Sequence, residues 1–236
     1  MVGRRRGRGQ VVALEGISGS GKSTVAPRLA RALDAELLAE AYARLRPRPS
    51  LAFGTDRALL RLEERLLEED AARYREADQI AGGGGSVVVD TGFFGTLTYT
   101  RALATLDLCA PTVFRALVRS ARSLKDRYLW GAPDRVVWLD SAPVTRARRV
   151  RSDPTGHPPA LADRHERVGT EERRIYFGPL GTVLGSRLTA VDANGSAEAV
   201  ARRAARAVAE GPRGFAPEGL AERVLRALEG ELGQPL

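Results

Sequence analysis

The sequence has 236 residues, 43% of them hydrophobic, and a formal net charge of +8. This length suits one α/β domain with a short appendage, and the apolar content suffices for a sizeable core. The single cysteine, Cys109, excludes an intramolecular disulfide scaffold. No apolar run approaches the roughly 18 residues of a membrane span, and no apolar segment of signal-peptide length follows the basic N-terminus. We therefore expect a cytoplasmic protein.

Short apolar segments alternate with amphipathic segments along the chain. The predicted strands cover residues 10–15, 35–42, 86–90, 135–140 and 187–193, with a helix as the alternative for 35–42. The predicted helices cover residues 22–33, 56–81, 95–106, 111–129, 143–151, 166–177, 196–209 and 218–230. This order predicts a parallel sheet with helices on both faces. Ligands of such sheets bind beyond the carboxyl ends of the strands.

The segment GISGSGKS, residues 16–23, lies between the first predicted strand and helix and matches G-x-x-x-x-G-K-[ST] at every position. Its glycines permit turns that direct N–H groups inward, and the helix N-terminus favours an anion. Lys22 supplies a compact, mobile ammonium for the β- and γ-phosphates, which the rigid arginine fork replaces poorly. Ser23 is placed for Mg²⁺. The motif predicts binding of a nucleoside triphosphate, for which we expect ATP and Mg²⁺, and does not specify the reaction.

Five segments resemble, in the same order, thymidylate kinases and related P-loop nucleotide and deoxynucleoside kinases. They are residues 13–33, 82–103, 133–151, 163–177 and 188–208. The resemblance implies a three-layer P-loop kinase fold, with a mostly parallel five-stranded sheet flanked by helices and a helical lid. It implies a kinase domain over 10–210 with the lid at about 141–166, between a flexible basic tail, 1–9, and a C-terminal helical appendage, 211–236.

The same resemblance indicates which residues contact the nucleotide. The expected set is Gly16, Ser18, Gly19, Ser20, Gly21, Lys22, Ser23 and Thr24, with Asn194 in the loop on the adenine side. The activity implied is ATP-dependent transfer of the γ-phosphoryl group to a nucleotide, a nucleoside or a nucleoside-like natural product, including antibiotic modification or self-resistance. The alternative is a P-loop NTPase that couples hydrolysis to a protein or nucleic-acid partner. We expect a small-molecule partner rather than a membrane or nucleic acid, and leave a homodimer open.

One departure from the family concerns the acceptor. Where thymidylate kinases carry D-R, this chain has Asp90-Thr91, and the arginine of the family helps to hold the acceptor phosphate. The change argues against a nucleoside monophosphate, dTMP in particular. Arg73, on the long predicted helix, is the candidate for an arginine on the acceptor side.

Two carboxylates compete for the role of general base. Asp90, at the end of a strand beside the expected γ-phosphate, is suited to accept a hydrogen bond from an acceptor hydroxyl or to orient Mg²⁺, with Ser23 as the other metal residue. Glu40, after the second predicted strand, is the alternative base. Capping of a turn and an ordinary surface position are the structural alternatives.

Arginines and aromatic residues complete the candidate site. Arg146, Arg149 and Arg164 are candidates for neutralising the transferring phosphoryl group, with a solvated basic face as the alternative. The candidate acceptor residues are Arg73, Thr91, Phe93, Phe94 and Tyr99, and ordinary core packing is the alternative for the aromatic rings.

Overall fold

The structure is a computed structural model that describes residues 7–47, 49, 54–128, 132–151, 159–211 and 214–230. The strands are β1 Val11–Glu15, β2 Ala35–Leu38, β3 Ser86–Asp90, β4 Arg135–Asp140 and β5 Leu188–Asp192. The helices of eight or more residues are α1 Lys22–Ala32, α3 Asp56–Gly82, α4 Phe93–Thr105, α5 Pro111–Tyr128, α6 Pro143–Arg151, α7 Pro159–Phe177, α9 Ala197–Glu210 and α10 Leu220–Glu229. Two shorter helices are α2 Ala41–Arg44 and α8 Pro179–Leu184.

The five strands form one parallel sheet in the order β2-β3-β1-β4-β5. Successive residues of a strand point to opposite faces, so Val11 and Ala13 belong to one core while Val12 and Leu14 belong to the other. Helices α3, α4, α5 and α7 contribute to the first core, and α1 and α9 contribute to the second. The predicted three-layer P-loop kinase fold is confirmed.

Three segments differ from the expectation. The helix predicted over 166–177 begins earlier, at Pro159. The predicted strand 35–42 ends at Leu38, and α2 begins at Ala41. This strand lies at the edge of the sheet and is only partly buried, so the pattern of residues 39–42 was a poor guide to its end. Helix α8 was not predicted, because six residues are too few for a recognisable period.

Both ends of the described chain contact the domain. Residues 1–6 of the predicted tail lie outside the described residues, whereas the Arg8 guanidinium donates to Asp134 at 2.9 Å and to Asp78 at 3.1 Å. At the other end, Val224 and Leu228 of α10 lie in the core that includes α5 and α8. In the predicted lid, residues 152–158 lie outside the described part of the chain. None of the described helices is long and apolar enough to cross a membrane.

Candidate active site

The glycine-rich segment turns tightly between β1 and α1. Gly16, Gly19 and Gly21 have φ values of +146°, +78° and +99°, a region that side chains rarely adopt. A Cβ atom on Gly16 would also lie 2.8 Å from the Leu139 carbonyl oxygen. The turn therefore requires glycine, and it ends where the N-terminal N–H groups of α1 begin. This geometry suits an anion.

Lys22 lies in the first turn of α1, where its ammonium group is held by the loop. Its Nζ donates to the Gly16 carbonyl oxygen at 2.6 Å. Its charge opposes the rise in the pKa values of three nearby carboxyl groups, those of Glu15, Asp90 and Glu172. Lys22 thus lies between the loop and an acidic region.

Asp90 and Ser23 meet at the same end of the sheet. Asp90 is 5% exposed, and it forms a side-chain hydrogen bond with Ser23. Burial raises the pKa of the Asp90 carboxyl above its ordinary value, while Lys22 and this hydrogen bond oppose the rise. Its Oδ1 atom is buried without a hydrogen bond to any described residue. A hydroxyl group beside a carboxylate with an unused oxygen fits the small, oxygen-preferring Mg²⁺ ion.

A cavity of about 300 Å³ opens directly beside the loop. Glu15, Gly16, Ser18 and Lys22 line its loop end. Its other walls come from α2, α3, α4 and α7 and from the end of β3, and they include Glu40, Tyr42, Glu63, Asp70, Arg73, Thr91, Tyr99, Arg164 and Glu172. Residues from distant parts of the sequence therefore enclose one space that reaches the phosphate-binding loop.

Arg73, a predicted acceptor residue, is fully buried and holds the cavity wall together. Its guanidinium donates to the Asp70 carboxylate at 2.5 Å and to the main-chain oxygens of Asp90 and Thr91 at 2.7 and 3.1 Å. Asp70 also accepts from Thr96 at 2.9 Å. Since these bonds occupy much of the guanidinium, Arg73 fixes the position of β3 relative to α3.

Glu40 and Thr91 face the cavity from the ends of neighbouring strands. Glu40 precedes the first residue of α2. Thr91 has a φ of 57°, unusual for a β-branched residue, and its N–H donates to the Leu14 carbonyl oxygen. Its hydroxyl is buried without a hydrogen bond to any described residue. A strained residue with an unsatisfied hydroxyl at a cavity wall is typical of a ligand-binding position.

The three candidate arginines have different surroundings. Arg149 crosses the phosphate loop: its Nη1 donates to the Ser20 oxygen at 2.7 Å, and its Nη2 donates to the Ala193 oxygen at 2.9 Å. Arg146 is 5% exposed and forms an ion pair with Glu166. Arg164 lines the cavity. The guanidinium of Arg149 therefore lies beside the loop, whereas Arg164 lines the cavity.

The structure does not bring every predicted residue to the cavity. Phe94 is 1% exposed in the core, and the side chain of Phe93 lies outside the described residues, so Tyr99 is the aromatic residue of the three that lines the cavity. The side-chain oxygen of Asn194 accepts from the Ala142 N–H and the Thr145 hydroxyl. Its amide group therefore joins the loop after β5 to the start of α6.

The sequence did not predict four carboxyl groups of the cavity, of which Glu15, Glu63 and Asp70 are buried and Glu172 is partly buried. Burial is the largest cause of the raised pKa of each group, to about 8 for Glu15 and Glu63, about 7 for Glu172 and about 6 for Asp70. The available signal was the position of Glu63 and Asp70, seven residues apart among the leucines and alanines on the apolar face of α3.

Comparisons with known proteins agree with this architecture. A family model described as "AAA domain" matches residues 11–167. A sequence search of curated proteins gives no significant match. The structure of deoxyadenosine kinase from M. mycoides with bound dATP is similar with a TM-score of 0.64 and 15% identity, over 82% of this chain and 95% of that chain. The same enzyme with bound dCTP gives a TM-score of 0.53 and 15% identity, over 81% of this chain and 95% of that chain.

Proposed function

We propose that this chain, which belongs to the AAA domain family, is an ATP-dependent kinase that phosphorylates a hydroxyl group of a nucleoside or a nucleoside-like natural product. One observation carries the proposal: the cavity of about 300 Å³ is lined by Gly16, Ser18 and Lys22 of the phosphate loop. A molecule in the cavity would therefore meet the terminal phosphate of a nucleotide in the loop. An NTPase that drives a macromolecule has no need of such a cavity.

The structural comparisons support the class of acceptor. Both similar structures are of an enzyme named deoxyadenosine kinase. The cavity volume is at the lower end of the roughly 300–1,000 Å³ typical of small-molecule sites, which suits a nucleoside-sized molecule. Thr91 supplies no positive charge where an acceptor phosphate would need one, so a hydroxyl acceptor is favoured over a monophosphate.

The reaction is an in-line displacement. The acceptor oxygen attacks the γ-phosphorus, the bond from that phosphorus to the β,γ-bridging oxygen breaks, and ADP leaves. The hydroxyl proton passes to Glu40, which faces the cavity. Glu15 is less suited to this role, because burial raises its pKa to about 8 and keeps it protonated at neutral pH. Asp90, the stronger candidate from the sequence, hydrogen-bonds Ser23 and is not among the residues that line the cavity.

The remaining charged groups bind and orient the nucleotide. Ser23 and Asp90 would hold Mg²⁺, which when bound neutralises charge on the β- and γ-phosphates. Lys22 would exchange its bond to the Gly16 carbonyl for the phosphates. Arg149 lies against Ser20 of the loop and would stabilise charge that develops on the transferring group.

The test is a screen for ADP release over nucleosides, nucleoside monophosphates and hydroxylated natural products, with mass detection of the phosphorylated product. Lys22→Ala should abolish turnover, and Lys125→Ala is the matched control because it removes the other lysine, which pairs with Glu222 outside the cavity. Nucleotide hydrolysis that depends on nucleic acid and yields no phosphorylated acceptor would overturn the proposal. Full turnover by a folded Lys22→Ala protein would overturn the mechanism.

A further inference from the structure

Carboxyl groups outnumber lysine and arginine side chains in the lining of the cavity. Five carboxyl groups line the cavity, those of Glu15, Glu40, Glu63, Asp70 and Glu172, against the three cationic side chains of Lys22, Arg73 and Arg164. Lys22 is held at the loop, and Arg73 is bonded to Asp70 and to main-chain oxygens. These cationic groups are therefore fewer than the carboxyl groups, and two of them already have partners.

Glu63 is the least compensated of the carboxyl groups. Glu63 is 3% exposed, and no described residue forms a hydrogen bond or an ion pair with its carboxyl group. Burial raises its pKa to about 8, and the charges of Asp70 and Glu172 raise it further. Buried carboxylates are normally paired, because removing a charge from water without a partner costs several kcal/mol. A buried carboxyl group without a partner at a cavity wall is placed to pair with a positively charged group of a ligand.

Glu172 lines the same cavity from another helix. It lies on α7, one turn after Val168, while Glu63 lies on α3. Burial raises the pKa of Glu172 to about 7, and a hydrogen bond with Thr98 opposes the rise. Both groups line one cavity, and the charge of Glu172 contributes to the raised pKa of Glu63, so the two repel when both are ionised. A positive charge between them would remove this repulsion.

The surroundings favour an organic cation over a metal ion. The described residues contain no group of three or more His, Cys, Asp or Glu side chains that could hold a metal ion. Leu62, Leu66 and Val168 are apolar neighbours in the same cavity wall, and Tyr99 adds an aromatic ring. An ammonium group on a carbon skeleton matches both parts: the charge meets the carboxylates, and the carbon atoms meet the apolar side chains.

We infer that Glu63, together with Glu172, forms a subsite for an ammonium group of the acceptor, so that the substrate is a hydroxylated amine such as an amino-sugar or aminonucleoside compound. The fate of its hydroxyl group rests on the proposed kinase function, whereas the binding of its ammonium group does not. Glu63 is thus a specificity-determining residue that contacts the acceptor away from the reacting atoms.

The test is equilibrium binding of matched pairs that differ in one group. Calorimetry at pH 7 with ADP and Mg²⁺ compares 3′-amino-3′-deoxyadenosine with adenosine, and glucosamine with glucose. In at least one pair the amine should bind about 10–100-fold more tightly, the range for a hydrogen bond between charged groups. Glu63→Gln should remove this preference, because the amide keeps the shape but cannot give up a proton and become negatively charged when the ammonium group binds. Glu68→Gln should retain it, because that exposed residue of α3 does not line the cavity.

The possible outcomes separate the two proposals. If no amine is preferred by the wild-type protein, or if the preference survives both Glu63→Gln and Glu172→Gln, the ammonium subsite is wrong. Glu172→Gln provides the test if the Glu63→Gln protein does not fold. If the amine preference depends on Glu63 but no acceptor is ever phosphorylated, the subsite stands and the kinase proposal fails. If neutral acceptors are phosphorylated but binding shows no preference for amines, the kinase proposal stands and the ammonium subsite is wrong.

Discussion

Arg149 donates from its two terminal nitrogens to the Ser20 oxygen of the phosphate loop and to the Ala193 oxygen after β5. One guanidinium thus joins α6, the loop and the end of the sheet on the nucleotide side. A Cβ atom on Gly21 would lie 3.4 Å from the same guanidinium, which shows how closely it approaches the loop. Two of its donors are satisfied by main-chain oxygens, so it is held near the phosphate site before a nucleotide binds.

Arg149→Ala should lower kcat by about 10²–10³-fold, the loss typical of removing one preorganised charge-stabilising donor. The physical reason is that water does not replace a fixed guanidinium beside the developing charge. Steady-state kinetics with the best acceptor is the measurement. Arg148→Ala, a change at an exposed position of the same helix, is the control and should have little effect. An equal loss of kcat in the two variants would show that Arg149 acts only through the overall positive charge of the helix.

Glu40→Gln and Asp90→Asn should have different kinetic effects. Glu40→Gln removes the proposed base and should lower kcat by about 10²–10⁴-fold, with little change in the KM for ATP. Asp90→Asn should raise the Mg²⁺ concentration needed for half-maximal activity, because its carboxyl group adjoins Ser23. Glu36→Gln, at an exposed position of β2, is the control. Full activity of Glu40→Gln, together with a severe loss for Asp90→Asn at saturating Mg²⁺, would return the base role to Asp90.

Glu63→Gln should raise the melting temperature at high pH. A carboxyl group whose pKa is 4.5 when unfolded and about 8 when folded binds more protons in the folded state over that interval. Its contribution to stability is therefore complete below pH 4.5 and is lost as the pH rises to about 8. The wild-type protein should lose stability across this range, and Glu63→Gln should lose less. Calorimetric melting at several pH values measures the slope, with Glu68→Gln as the control. Parallel slopes for all three proteins would show that Glu63 does not retain its proton on folding.

Thr91→Arg should improve the use of a nucleoside monophosphate such as dTMP relative to a hydroxyl acceptor. Thr91 faces the cavity, so an arginine there would supply a positive charge for an acceptor phosphate. The KM for ATP should change little. The ratio of kcat/KM values for the two acceptors is the measurement, and Thr91→Gln separates added charge from added length. Efficient phosphorylation of dTMP by the wild-type protein would contradict the inference drawn from Thr91.

The sequence predicted the parts of the molecule that depend on local patterns. The phosphate loop and four of the strands were recognisable from residue order alone, because glycine spacing and buried apolar runs are local features. Glu63 was overlooked because a glutamate on a charged helix is usually exposed, and its burial arises only when α3 packs within the folded chain. Glu63 and Glu172 line one cavity from two helices far apart in the sequence, and no pattern within either helix indicates that they come together.

Transfer of an isotopically labelled phosphoryl group distinguishes a kinase from an enzyme that only hydrolyses ATP. The protein is incubated with ATP whose γ-phosphate carries ¹⁸O at its terminal oxygens, together with the best acceptor from the screen, and both products are weighed by mass spectrometry. We expect the labelled oxygens to appear on the acceptor at the same rate as ADP forms, and Lys22→Ala to abolish both products. Label that appears only in inorganic phosphate, at a rate independent of every acceptor, would contradict the account, because the cavity beside Lys22 would then not deliver a hydroxyl group to the γ-phosphate.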